Sequence, residues 1–457
     1  MALTHLAPET GAPWDARAAA HLLRRTGFGA APAEVARAIE QGRDGAINAV
    51  FDDGKEQEAH FQDTFRRLSG TFADFGDAGQ LQAWWCYRML TTRTPLREKL
   101  TLFWHGHFAT SYQKVDDLFL MHRQCETLRR LAWGGFRDLV SAISRDPAML
   151  VYLDGESSTK ERPNENFARE LLELFTLGVG HYAEKDVREA ARAFTGWHRD
   201  GAKFAFDAKA HDGGPKEVLG RKGNLGGDDV IDALMAHPAL PRFIARKLLV
   251  FFACPRPPAE VVEGAAEVFR DGRLGVKHFL GVLFRSKFFY SEACRRTRIS
   301  SPAECVIGAC RSLGVRLAAP ECRDHITAMG QELFAPPSVK GWDGERKWVH
   351  AGTWAARQAF GRRVGELASG SEFGPNLDAF ALVPPEVTDP RKVADLLVER
   401  VLEGGLSKKS RAEIAEFLVT GDQGPRPEDF RADADFRAQK VRETVGLLLS
   451  LPEYHTY

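Results

Sequence analysis

A mostly α-helical, multi-helix globular fold is predicted by three features of this sequence. Apolar residues recur at helical spacing almost throughout, as at Ala18, Leu22 and Leu23 and again at Leu118, Met121, Leu128 and Leu131. Strand-like alternation is sparse, and a hydrophobic content of 44% is ample for buried cores, which excludes disorder as the main state. The 457 residues carry 62 basic and 62 acidic side chains, a balance that argues against a nucleic-acid or polyanion binder.

Taken in order, Val35 to Val50 reads as a short helical hairpin broken at Gly42 and Gly45, and the polar, Gly-rich stretch from Asp52 to Gly79 as a mobile connection. Leu96 to Trp104 has helical spacing and runs into His105, Gly106 and His107. In RPNENFARELLELFTLGVGHY, Pro163 and the candidate cap Asn164 open a helix that Gly178 or Gly180 closes. A second helix, Val187 to Phe194, has Glu184 and Asp186 near its positive end. Seven glycines between Gly201 and Gly227, with the alternating run Lys203 to Asp207, predict a loop insertion carrying a small hairpin. Helices then resume at Pro241–Phe252, Ala259–Phe269, Val276–Phe284, Pro302–Leu313 and Thr353–Leu367, with the loop PPSVKGWDGERKW before the last and a terminal section from about Pro384. The expected organisation is an N-terminal helical region over 1–200, the insertion over 201–227 and a C-terminal helical region over 228–457.

The longest apolar stretch, Leu248 to Cys254, is too short to span a bilayer, and the start MALTHLAPETGAPWD lacks the basic and apolar segments of a signal peptide. A cytoplasmic protein is therefore expected. The seven cysteines are odd in number and scattered without a CxxC pair, so they are expected as reduced, packed thiols.

Three segments can carry chemistry. His105 and His107, two apart, point about 200° from one another on a continuous α-helix and converge only if the helix ends or bends at Gly106. A bend there offers two imidazoles to zinc or iron; without it the segment is a packing turn whose histidines bond to backbone. On the helix after Asn164, Asn166, Glu170 and Glu173 share a face opposite the apolar arc of Phe167, Ala168, Leu171, Leu172, Leu174 and Phe175. That row suits a metal, or a solvated polar face. The loop HDGGPK places His211 and Asp212 beside two glycines with Lys216 following, either a ligand, proton carrier and cation or an ordinary turn. There is no GxSxG elbow, phosphate-binding loop, HExxH helix or haem attachment, and GVGHYA at 178–183 follows a helix instead of a strand, so it is no dinucleotide fingerprint.

Together the segments HLLRRTGFG (from His21), REKLTLFWHGHFATS (Arg97), DPAMLVYLDG (Asp146), PNENFARELLELFTLGVGHY (Pro163), DVREAARAFTGW (Asp186), HDGGPKEVLG (His211) and PPSVKGWDG (Pro336) resemble the bacterial family called domain of unknown function 1800. The resemblance implies a largely helical protein and, as a partner, a protein of domain of unknown function family 1501. Because family neighbours often carry export signals, it also implies export if the true start lies upstream. Where the family usually has a capping threonine this chain has Ala183, so the helix start there is expected to be weaker. The family signature includes His105, His107, Asn164, Glu165, Asn166, Glu170, Glu173, His211, Asp212 and Lys216, a set richer in polar groups than packing needs.

The working expectation is that these residues converge. His105, His107, Glu170, Glu173 and His211 would bind zinc, iron or manganese, with Glu165, Asp212 and Lys216 as catalytic groups, in a metal-dependent enzyme that is hydrolytic before it is oxidative. The alternative is a helical scaffold or binding protein that disperses them among caps and salt bridges. A third option is glycan binding on Trp104, Trp197 and Trp342, against the simpler reading of these as core residues.

Overall fold

The helices start where the sequence supplies a cap. Asp15 accepts from the Ala18 amide at 2.9 Å to open α1 (Ala16–Thr26), and Asp77 accepts from Gln80 to open α3 (Ala78–Thr91). Between them α2 (Pro32–Val50) is interrupted at Gly42, whose φ of +69° no α-helix adopts, while Gly45 stays helical. Pro95 occupies the first position of α4 (Pro95–His107), and Asp117 caps α5 (Leu118–Leu131), which α6 (Phe136–Ser144) follows. The structure, a computed structural model, describes residues 6–52, 76–367 and 376–456; most of the connection expected over 52–79 lies outside them.

Asn164 caps α7 by accepting from the Asn166 amide at 2.8 Å. The helix is α-helical over Glu165–Glu170, widens into a π-helical stretch over Leu171–Leu177, and stops at Gly178 with φ of +85°. At Ala183 the cap of α8 (Glu184–Ala193) has no side-chain oxygen, yet Asp186 still accepts the Ala183 amide at 2.8 Å, half of a capping box. The Gly-rich region holds two antiparallel hairpins. β1 (Trp197–Asp200) pairs with β2 (Lys203–Phe206), and β3 (Lys216–Val218) with β4 (Arg221–Gly223). Then come α9 (Gly227–Ala236), α10 (Ala239–Phe252), α11 (Ala259–Asp271), α12 (Val276–Arg285), α13 (Pro302–Leu313), α14 (Ala319–Ala328), α15 (Ala351–Gly365), α16 (Pro390–Leu402), α17 (Lys408–Val419) and α18 (Ala434–Leu449). The fold is mostly α, and no helix among the described residues is long and apolar enough to cross a membrane. All seven cysteines are buried and unpaired.

Two apolar cores form. The first draws on α1, α2, α4, α6 to α12 and the β1 tryptophan, ending at Cys294; the second draws on α3, α5 and α13 to α18. Helix α4 lies between them, giving Leu96, Leu100, Phe103 and Trp104 to the first and Leu102 to the second. A helix buried on every side must place its polar residues inside the protein, and α4 buries the adjacent charges Glu98 and Lys99. Glu98 accepts from Arg129 of α5 at 2.7 and 3.0 Å, from Trp85 at 3.1 Å and from Arg88 of α3 at 3.4 Å. Burial pushes its carboxyl up, but the Arg129 and Arg88 guanidiniums and the bonds from Arg129 and Trp85 outweigh it and bring the pKa down to about 2. Lys99 bonds to the Gly27 carbonyl at the end of α1 at 2.5 Å and to Glu304 of α13 at 2.8 Å. Glu304 also takes Arg298 and, through the Ser301 amide, completes the capping box that opens α13.

Replacing Glu98 by Gln keeps its shape but removes the buried carboxylate that Arg129 and Arg88 share, leaving Glu126 at the edge of the cluster to face both. The expected cost is about 3–5 kcal/mol, read as a fall in the denaturant midpoint. Because the folded pKa is depressed from 4.5 to about 2, the Glu98 contribution is complete above pH 4.5 and lost as pH falls through that window. The wild-type protein should lose stability there, and Glu98→Gln should lose correspondingly less.

Candidate functional site

The helix α4 runs unbent through Gly106, so His105 and His107 face opposite sides and do not converge. His105 Nε2 accepts from the Phe334 amide at 3.1 Å, and its ring lies 5.3 Å from Trp85 and 5.6 Å from Trp342. Burial alone brings its pKa down to about 3, so it is neutral and acts as a packing and backbone-anchoring residue. What it anchors is the segment leading into the loop Pro336–Trp348.

That loop locks onto α4 at one point. Gly341 has φ of +81°, and a Cβ there would stand 2.0 Å from the Gly106 carbonyl oxygen, so only glycine allows the approach. Trp342 then lies over Gly106, where a Cβ would meet its ring at an ordinary 3.7 Å. The HGH and KGW motifs are thus two halves of one backbone contact.

On the other side His107 Nε2 donates to the Phe175 carbonyl at 2.9 Å, which fixes the tautomer and leaves Nδ1 as an acceptor. Lys247 of α10 donates to that Nδ1 at 3.0 Å and to the Leu174 carbonyl at 3.2 Å. Leu174 and Phe175 lie in the last turn of α7, where carbonyls have no partner in their own helix, and these two side chains satisfy them. Burial, then Lys247 nearby, hold the His107 imidazole well below its usual range despite the Phe175 bond. Burial and the charge of Lys340 bring Lys247 down to about 8. The Lys247 amine also sits 4.8 Å from the Phe243 ring, one turn back on α10, and Phe243 packs under Gly178 at the end of α7.

Lys247 opens onto a cleft of about 530 Å³ between α4, α10 and the 340–348 loop. Its apolar wall includes Phe103, Val250 and Phe251; Trp342 and Trp348 close one side. Four cations line it: Arg246, Lys247, Arg298 and Lys340. Two carboxylates do as well, each already engaged, Asp343 with Lys340 at 3.5 Å and Glu345 with the Ile299 amide at 3.3 Å. Burial raises the Glu345 pKa, which Arg298 partly offsets.

The other residues singled out from the sequence lie in separate arrangements. Glu165 pairs with Arg169 at 3.2 Å, and Arg169 reaches on to Glu184 at 2.7 Å, joining the starts of α7 and α8. Glu173 accepts from the Tyr182 hydroxyl, and burial followed by the charge of Glu173 raises the pKa of half-buried Glu170. His211 bonds to the Thr195 carbonyl at 2.9 Å. Asp212 pairs with Arg192 of α8 at 2.7 Å and accepts from the Gly214 amide, which together hold its carboxyl low. Lys216 donates to the Asp212 carbonyl and to that of Gly214 at 3.1 Å, so the HDGGPK loop is an internally bonded turn on α8. Among the described residues no group of three or more His, Cys, Asp or Glu is placed to hold a metal. The donor atoms expected to form a zinc, iron or manganese centre are committed elsewhere: those of His107 to a carbonyl and an ammonium, that of Glu173 to a phenol.

Sequence reasoning missed Lys247, Arg246, Lys340 and Arg298. A signal was present: Lys247 interrupts the apolar run FIARKLLVFF on the face shared by Phe243, Val250 and Phe251, where packing alone favours another apolar residue.

Fold and site define a mostly α-helical protein with a cation-lined cleft built on a lysine–histidine pair. The chain belongs to the family described as Protein of unknown function (DUF1800), whose family model matches residues 21–456. No curated protein and no solved structure matches it.

The glycine contact gives a paired test. Gly341→Ala should cost more than about 2 kcal/mol and shift the tryptophan fluorescence as Trp342 leaves α4. Gly106→Ala, inside a helix with room for a methyl group, should be neutral or stabilising by about 0.5–1 kcal/mol. Equal effects on the unfolding midpoint would show that the loop does not seat on Gly106.

Proposed function

We propose that the chain binds a small anionic molecule in the cleft between α4, α10 and the 340–348 loop, with Lys247 as the polar group at its floor. The observation that carries this reading is the gathering of Lys247, Lys340 and Arg246 on one cleft, with no carboxylate paired to Lys247 or Arg246 among the described residues. Like charges gathered against an apolar wall repel one another, and an anion of matching size relieves the repulsion. The cleft volume suits a metabolite-sized ligand. The balanced net charge of the chain does not oppose this, because the cations are local.

Acid–base chemistry is open to the site through the Lys247 amine and the imidazole of His107, the latter expected from the sequence as a metal ligand. The metal-dependent hydrolytic or oxidative reading draws no donor set from His105, His107, Glu170, Glu173 and His211 as placed. Dispersal of Glu165, Asp212 and Lys216 among caps and salt bridges favours structural roles for these three.

Inorganic phosphate and oxalate are suitable probes. At ten times its dissociation constant a bound anion should stabilise the fold by about 1.4 kcal/mol, an effect that falls with added salt. Because Lys247 loses its charge as pH rises through about 8, the stabilisation should weaken above that pH. Lys340→Met and Arg246→Met should each weaken it, whereas Lys409→Met, removing an exposed cation on α17, should not. Unchanged stabilisation in a Lys340→Met, Arg246→Met double variant would sink the reading.

A further inference from the structure

We infer that Lys247 is an amine nucleophile that forms an imine with a small anionic carbonyl compound of the 2-oxo acid class, whose carboxylate lies against Lys340 and Arg246. This rests on the anion-binding reading and adds a reaction to it. The argument is geometric. A neutral lysine amine has two N–H bonds and one lone pair around nitrogen. Both N–H directions are taken, one by His107 Nδ1 at 3.0 Å and one by the Leu174 carbonyl at 3.2 Å. The lone pair is left the one remaining tetrahedral direction, and Lys247 lines the cleft. A lysine that is desolvated and set beside another cation is the arrangement that makes an amine reactive near neutral pH. Lys247 has both, with the Phe243 ring against its amine and Lys340 across the cleft.

The groups facing it are His107 from α4, the two carbonyls at the end of α7, Arg246 on its own helix and Lys340 from the loop, with Arg298, Asp343 and Glu345 further along the cleft. None is a carboxylate bonded to the amine among the described residues, so no partner fixes it in the ammonium form. In the reaction the nitrogen lone pair attacks the carbonyl carbon, and the C=O electron pair moves to oxygen, giving a carbinolamine. The two amine protons leave with that oxygen as water while C=N replaces C–O, so no oxidant or reductant enters. His107 Nδ1, already bonded to the amine, is placed to take a proton and return it. The neutral imine formed in this way carries no N–H; uptake of one proton from solvent through His107 gives the protonated imine, whose single N–H is directed at Nδ1.

The test uses the full chain with glyoxylate and cyanoborohydride, which reduces an imine to a stable secondary amine, followed by peptide mapping. At pH 7, Lys247 should be modified more than about tenfold faster than exposed Lys409. Its rate should level off above pH 8, while that of Lys409 continues to climb. Lys247→Arg should abolish modification in its peptide, whereas Lys409→Met should leave both the labelling of Lys247 and the stabilisation by phosphate unchanged. Propanal, an uncharged carbonyl compound, should modify Lys247 more slowly than glyoxylate does. If glyoxylate labels Lys247 no faster than Lys409 while phosphate still stabilises the protein, the imine is overturned and the anion site stands. If propanal matches glyoxylate, the oxo-acid class is overturned. Absence of both labelling and phosphate stabilisation overturns the two readings together.

Discussion

Two cores are held together by the charges buried on one helix. Glu98 and Lys99 are neighbours on α4, and each points into a different junction: Glu98 toward Arg129 and Arg88, Lys99 toward Glu304 and the end of α1. Ion pairs removed from water stabilise little in net terms, because desolvation offsets their attraction, but they penalise every misplaced arrangement severely. Glu304 multiplies that effect by capping α13 with the same carboxylate that meets Lys99 and Arg298. The position of α13, and of the second core behind it, therefore depends on the register of α4.

The cleft follows from that placement. Once α4 is fixed, its last turn sets His107 under the open end of α7, and the orphan carbonyls of Leu174 and Phe175 draw in His107 and Lys247. The loop from the second half of the chain reaches the same turn through Gly341 and brings Lys340 and Trp342 with it. A helix end that needed donors and a loop that needed a seat thus produce a polar floor under an apolar wall. The lysine is costly there: it satisfies the Leu174 carbonyl and His107, and its position on the cleft beside Lys340 and Arg246 is the physical ground for assigning it a role beyond structure.

The helices, the cap at Asn164, the start at Pro302, the stop at Gly178 and the hairpin at Lys203 to Phe206 were legible in the sequence, because each rests on residues close together in the chain. The break at Gly42 was legible for the same reason, whereas Gly45 kept helical geometry because its neighbours did. The site was legible only in part. His107 stood out as a polar residue in an apolar segment, but its role is set by Lys247, 140 residues away in sequence, and by carbonyls of a third helix. The expected convergence of His105 with it needed a bend at Gly106. The helix instead stays straight and its Gly106 carbonyl receives the close approach of Gly341, a contact that needs glycine at 341 and appears only when the loop is in place.

The widened end of α7 has a bearing on how such a chain can vary. In its π-helical stretch the Gly178 amide bonds five residues back to Glu173, and the Thr176 hydroxyl bonds back to Leu171. The helix therefore carries one residue more than an α-helix of the same span, and that residue advances everything after it by about 100°. Substitutions along Leu171–Leu177 trade one side chain for another. Loss of a single codon would restore regular winding and swing the Phe175 carbonyl away from His107. A chain that keeps this cleft is thus bound to the length of this stretch as firmly as to its buried side chains.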